Sequence, residues 1–354
     1  MQNENPAGTN GFDFLEFATN DVPKLTRQFE ALGFKPVARH KQHDVVMLQQ
    51  NDIRFLINYT KNSGAKHFAD AHGDSACAMG FRVENAKAAY EYCLAQGARA
   101  YISENETTVH QLPAIYGVGG SVIYFVDYTN NKPNYAHEFD YTDPHPAANQ
   151  GYGLTYLDHV THNLNRGNMD KWAEFYTRLF NFREIRYFDI EGKLTGLKSR
   201  AMSSPCGKIR IPLNESSDDQ SQIEEFIKDF HGEGIQHIAL GSNDIYASIE
   251  SLRNQDIIFL DTPDTYYELV EKRLPGHGEP VELMKKFRIL VDGTTQGEKK
   301  LLLQIFTQNM LGPVFFEVIQ RKGDEGFGEG NFRALFESIE LDQIRRGVLN
   351  SVAS

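Results

Sequence analysis

Three apolar segments carry side chains able to bind a metal: LDHVTHNL (157–164), GIQHIAL (234–240) and PVFFEVIQ (313–320). Glu317, inside the last, would cost several kcal/mol as an ionised carboxylate in an apolar strand unless a partner or a cation compensated it. Two neutral imidazoles and one carboxylate from three different strands make the facial set that leaves open positions on a ferrous ion. His159, His237 and Glu317 are therefore the candidate ligands. A lone His or Glu in a strand is more often a satisfied core or edge residue. What singles out these three is an internal repeat.

The second histidine of LDHVTHNL does not belong to this set. Side chains alternate along a strand, so His159 and His162 point to opposite faces. β-Branched Val160 and Thr161 argue for a strand there rather than a helix. His162, beside Asn163, reads as a hydrogen-bonding turn residue. The remaining histidines, such as His110, His137, His145, His231 and His277, lie in polar or loop contexts and read as solvent-facing.

The repeat relates the two halves of the chain. GFDFLEFATNDVPKLTRQFEALGF (11–34) parallels LDHVTHNLNRGNMDKWAEFYTRLFNF (157–182), each a strand, a turn and a helix followed by Gly-Phe or Asn-Phe. CAMGFRVENAKAAYEYCLAQGAR (77–99) overlays IQHIALGSNDIYASIESLRNQDI (235–257), and YFV (124–126) answers FEV (316–318). In this overlay Phe14, Met79 and Phe125 stand where the second half has His159, His237 and Glu317. The first half is thus expected to be metal-free.

Further strand-like runs follow each helix, which implies an α+β fold of four strand–helix–strands units in two half-open barrels, each mouth a natural ligand site. The Pro-, Asp- and Asn-rich stretch FDYTDPHPAANQGY (139–152) has linker composition. Expected boundaries are a metal-free domain over 1–142, a linker over 143–151 and a metal-binding domain over 152–354.

Composition limits the partners. A chain of 354 residues exceeds one ordinary hydrophobic core. Its net charge of −12 and lack of a basic run exclude a nucleic-acid or anionic-membrane surface. Cys77, Cys93 and Cys206 are too few for a disulfide framework, and neither a signal sequence nor an apolar run of about 18 residues is present, so a cytoplasmic protein is expected.

LDHVTHN, GIQHIAL, LLLQIFT and FFEVIQRKGDEGFGEGNF together resemble the 4-hydroxyphenylpyruvate dioxygenases of the vicinal oxygen chelate superfamily. The resemblance covers essentially the whole chain, by motif in the second half and by repeat pattern in the first. It implies an Fe(II) enzyme converting 4-hydroxyphenylpyruvate and dioxygen to homogentisate and carbon dioxide, in tyrosine and phenylalanine breakdown, with a homo-oligomer expected. Carried over by motif, the metal ligands are His159, His237 and Glu317. The polar pocket residues are Ser199, Asn214, Gln222, Gln236 and Gln304. Phe327 and Phe332 would hold the substrate ring and Asn331 would also bind substrate; by its position Asn331 can further cap a lid helix whose apolar positions are Phe332, Leu335, Phe336 and Ile339. Hydroxymandelate synthase is the near rival, sharing substrate and triad; a metal-free binding protein of the same fold is the distant one.

Overall fold

The computed structural model describes residues 4–102, 107–142, 149–191, 196–219, 221–331 and 334. The first half runs β1 (Thr9–Ala18), α1 (Val22–Ala31), β2 (Lys35–His40), β3 (Val45–Gln50), β4 (Ile53–Asn58), α2 (Gly64–His72), β5 (Ser75–Val83) and α3 (Ala86–Ala95). It continues with β6 (Ala114–Tyr116), β7 (Val122–Val126), a ribbon of β8 (Tyr128–Thr129) and β9 (Lys132–Pro133), and β10 (Phe139–Tyr141). The second half runs β11 (Leu154–Leu164), α4 (Met169–Phe180), β12 (Arg183–Glu191), β13 (Gly196–Ser203), β14 (Arg210–Ser216), α5 (Gln222–Phe230), β15 (Gly234–Ser242) and α6 (Ile245–Arg253). After it come α7 (Asp264–Arg273), α8 (Val281–Phe287), β16 (Leu290–Thr294), β17 (Lys300–Phe306) and β18 (Phe315–Lys322).

Each half forms a curled eight-stranded sheet, ordered β10-β2-β3-β4-β1-β5-β7-β6 and β12-β13-β14-β11-β15-β18-β17-β16. The halves match strand for strand except at the edges, where the first adds β10 and the second adds β16. At both centres an antiparallel pair, β1/β5 or β11/β15, is flanked by parallel partners β4 and β7, or β14 and β18. The helices follow their sequence signals. Asp21 caps α1 by accepting from the Lys24 N–H, and α4 buries Met169, Ala173, Tyr176, Leu179 and Phe180 at helical spacing before Asn181 ends it with φ of 53°.

Backbone register refines the repeat. The row Phe14–Gly80–Tyr124 matches His159–Ala239–Glu317, so Glu317 answers Tyr124 rather than Phe125 and His237 answers Ala78 rather than Met79. Both halves also share a β-bulge. Pairing skips Cys77 between Glu16↔Ala78 and Phe17↔Ala76, and skips Gln236 between Thr161↔His237 and His162↔Ile235.

A contiguous core spans both halves. Phe17, Phe29, Phe34 and Phe55 pack together, and Phe316 reaches them from β18, 6.3 Å from Phe29 and 6.1 Å from Phe55 between ring centres. Burying each such ring stabilises the fold by roughly 1.5–3 kcal/mol. Because Phe316 faces this core, alternation turns Glu317 to the opposite face, into the second sheet's concave side.

The stretch read as a linker is partly built into the fold. Its first residues form β10 on β2, and 143–148 lie outside the described residues. Its end is tied to β3: Asn149 Nδ2 donates to the Gln49 carbonyl, and Gln50 Oε1 accepts the N–H groups of Tyr152 and Leu154. No helix among the described residues is long and apolar enough to cross a membrane.

Candidate metal centre

β11, β15 and β18 bring His159, His237 and Glu317 together. Glu317 Oε2 lies 3.1 Å from His159 Nε2 and 3.5 Å from His237 Nε2. Such separations are near the ~3 Å edge of an octahedron built on metal–ligand bonds of about 2.1 Å. Glu317 is buried, and its second oxygen, Oε1, has no hydrogen-bond partner among the described residues. A buried carboxylate oxygen without a donor is costly, and a cation in the open centre removes that cost.

Hydrogen bonds on the far side of each ring fix its tautomer. His159 Nδ1 donates to Asp158 Oδ1 at 2.8 Å, and His237 Nδ1 donates to Gln236 Oε1 at 2.9 Å. Both Nε2 atoms therefore face the centre as the candidate ligand atoms. The bulge at Gln236 supplies this geometry for His237, since it lets adjacent side chains meet. The Thr161 hydroxyl lies 3.0 Å from His237 Nε2, with which it can hydrogen-bond, and His159 Nε2 lies within the same reach of Glu317 Oε2. Burial disfavours charge on all three. Glu317 and Asp158 nevertheless raise the pKa of His159, and His159 lowers that of Glu317, whereas burial prevails at His237 and lowers it. A divalent cation held by the three side chains would compensate the buried carboxylate.

Behind His159 stands a clamp that sequence inspection missed. Asp158 accepts from His159 and from Arg321 Nε at 2.7 Å and Nη2 at 2.8 Å. Although burial pushes its pKa upward, the bonds from Arg321 and His159 hold it far below the usual carboxylate range. Arg321 Nη1 also donates to the carbonyls of Asp324 and Gly326, and its guanidinium lies over the Phe327 ring. The loop bearing Phe327 is thereby tied to the ligand shell, and the ring sits edge-on to His159 with centres 5.2 Å apart.

Other expected site residues take different places. Ser199 and Asn214 are opposite each other on β13 and β14, and Gln304 is buried on β17 with Oε1 unpartnered. Asn163, in register with Asn214 and on the face of His159 and Thr161, has neither side-chain atom partnered. It was legible from the same alternation that separated His159 from His162. Gln222 is a correction: it is exposed in the first turn of α5, which buries Ile223, Phe226 and Phe230 on its other face. Asn331 is another, lying inside a helical turn rather than capping it, with Oδ1 accepting from the Tyr266 hydroxyl at 2.6 Å. Phe332, Leu335, Phe336, Ile339 and the expected lid helix lie outside the described residues.

The histidines also need correction. His162 faces away from the centre, as alternation requires, but it is a buried strand residue against Tyr176 of α4 rather than a turn residue. Burial lowers its pKa to about 4. His277 and His110 are buried, not solvent-facing, whereas His137 and His231 are exposed and His145 is outside the described residues.

His110 belongs to a second cluster, with His40 and Glu138, in the first half. Its Nε2 lies 2.7 Å from Glu16 Oε2 and its Nδ1 3.4 Å from Glu138 Oε2. Burial disfavours the imidazolium, yet the two carboxylates outweigh it and push the pKa up to about 9. His40 Nδ1 accepts the N–H groups of Gln42 and His43, so Nε2 carries the proton and donates to Glu138. Both Glu138 oxygens and Glu16 Oε2 have hydrogen-bond partners here, whereas Glu317 Oε1 has none among the described residues.

Comparisons with known proteins agree with this architecture. Residues 3–142 match the model for the hydroxyphenylpyruvate dioxygenase N-terminal domain, and 156–269 match that of the glyoxalase/bleomycin resistance protein/dioxygenase superfamily. A 4-hydroxyphenylpyruvate dioxygenase of Legionella pneumophila is 55% identical over 353 residues, covering 100% of both chains. The chain belongs to the 4-hydroxyphenylpyruvate dioxygenase family. Among solved structures, a xylose isomerase-like TIM barrel/4-hydroxyphenylpyruvate dioxygenase fusion protein matches with TM-score 0.79 and 28% identity, over 95% of this chain and 53% of that one. A triple mutant of 4-hydroxymandelate synthase from Streptomyces coelicolor also gives TM-score 0.79, at 25% identity over 95% and 99% of the two chains. The chain is thus an enzyme whose homologues act on a small-molecule substrate.

Proposed function

We propose that the protein binds Fe(II) through His159, His237 and Glu317 and converts 4-hydroxyphenylpyruvate and dioxygen to homogentisate and carbon dioxide, in tyrosine and phenylalanine catabolism. The observation that carries this reading is the buried pair of Nε2 atoms around a carboxylate whose second oxygen has no partner, in a chain 55% identical to a relative of that name. Iron would supply the open positions at which a 2-oxo acid chelates and dioxygen is reduced.

The chain's own task is positioning. Phe327, held by Arg321 beside His159, offers a ring edge against the substrate's aromatic ring. Ser199, Asn214, Asn163 and Gln304 offer neutral hydrogen-bonding groups for the phenol, so the ring is oriented without a fixed charge near the metal. Gln236 acts on His237 as an orienting acceptor. Buried Leu302, Ile319 and Ala239 cluster beside this wall and keep water out. The same reading makes the protein a homo-oligomer of the reducing cytoplasm, in keeping with the free, buried thiols of Cys77 and Cys93.

The test is to load anaerobically purified protein with ferrous ion, add 4-hydroxyphenylpyruvate and air, and identify the product by chromatography and mass. Homogentisate is expected. 4-Hydroxymandelate would refute the pocket assignment while keeping the metal site, and absence of oxygen uptake would refute both.

A further inference from the structure

We propose that the cleft between the two halves is a binding site for a small aromatic carboxylate. It is an open cleft of about 460 Å³ between the turn after α3 and the β6–β7 connection on one side and α4 on the other. In a chain of net charge −12 it gathers three cations, Arg99, Lys171 and Arg178. None of them has a carboxylate partner among the described residues. Arg99 lies over the Tyr116 ring at 3.9 Å, Lys171 over Trp172 at 4.8 Å, and Arg178 donates to the Gln96 carbonyl.

The acidic residue of the cleft, Glu233, keeps its charge but turns its oxygens to neutral donors rather than to these three cations, so the lining carries a net charge of +2. Glu233 accepts from the Asn165 N–H at 2.9 Å, Asn168 Nδ2 at 2.5 Å and Trp172 Nε1 at 3.0 Å. Those bonds hold the indole in place, with Phe175 edge-on to it at 5.3 Å. Unpaired guanidinium and ammonium groups beside a fixed aromatic wall suit a ligand that is anionic at one end and a flat ring at the other. The arginine forks take the carboxylate and the indole takes the ring. Junctions between domains are frequent sites for such ligands, and the volume is in the usual range. An inorganic anion would use the cations and leave the aromatic wall idle.

This assignment does not depend on iron, so its test uses the metal-free full chain. Trp172 is the only tryptophan, and its emission therefore reports on the cleft. The probe is 4-hydroxyphenylacetate, an aromatic carboxylate without the 2-oxo group. A saturable change in emission is expected, with affinity reduced on the order of tenfold in Arg99→Ala and in Arg178→Ala. Glu317→Ala, altered at the metal centre, should respond as the parent does. The proposal is overturned by no saturable change, by a response that survives both arginine substitutions, or by its loss in Glu317→Ala. An equal response to inorganic phosphate would overturn the aromatic assignment. Emission that follows protein concentration without ligand would make the cleft an assembly surface and overturn it as well.

Discussion

Asp158→Asn separates the positioning of a ligand from ligation itself. The carboxylate is fully buried and accepts one bond from His159 and two from Arg321. An asparagine keeps the volume but has one accepting oxygen, so its amide must oppose either His159 Nδ1–H or a guanidinium N–H. Loss of such an orienting partner weakens metal binding about 10–100-fold, or roughly 1.4–2.7 kcal/mol. Folding suffers separately, because Arg321 loses its charged partner while almost out of solvent. Breaking a buried pair costs about 3–5 kcal/mol, and the lower end is expected here since the carbonyls of Asp324 and Gly326 still hold the guanidinium. Chelator competition gives the metal affinity and urea unfolding of the metal-free chain gives the stability. Unchanged metal affinity with reduced stability would refute the argument, leaving Asp158 as Arg321's structural counterion and nothing more.

Four further outcomes are expected. Glu317→Ala should lose bound metal and turnover while its circular dichroism spectrum stays that of the parent; full activity would eliminate the triad. Gln222→Ala should leave kcat and KM within about twofold, as befits an exposed first-turn residue, and a large loss in steady-state assays would restore it to the pocket. Gly328 has φ of +76°, and a Cβ there would fall 2.2 Å from Gln304 Oε1, so Gly328→Ala should displace Gln304 and lower kcat/KM at least about tenfold. The raised pKa of His110 stabilises the fold fully below the unfolded value of about 6.5, and that stability is lost as pH rises through about 9. The difference is ~3 kcal/mol between these limits, to be read from urea midpoints at the two pH values, and His110→Gln should flatten it.

How far such a site can be read from sequence depends on whether its signal is local. Strand alternation is local: it separated His159 from His162 and, carried to the fourth residue after His159, also puts Asn163 on the His159 face. The apolar setting of Glu317 is local too, because a run such as PVFFEVIQ advertises an uncompensated charge. The overlay of the second units slipped by one residue since it matched apolar helix positions, Leu94 on Leu252, over a segment where hydrophobic spacing tolerates a shift. The helix caps fix the offset instead. Asn85 and Asp244 each accept a bond at the start of their helices, and placing them together puts Ala78 opposite His237 and Cys77 opposite Gln236. That shared bulge marks how the halves diverged: in one it carries Gln236, which sets the tautomer of a ligand, and in the other Cys77, whose thiol lies against Glu16. What no local pattern announces are contacts closed over long separations. His110 sits outside any helix or strand, and its burial comes from Glu138 and Glu16, 28 and 94 residues away. Asp158 reaches Arg321 across 163 residues. Both charges look solvated in sequence because the fold alone supplies their partners, and the repeat hides the contrast further, since one half satisfies both Glu138 oxygens with hydrogen bonds and the other leaves Glu317 Oε1 without a partner among the described residues.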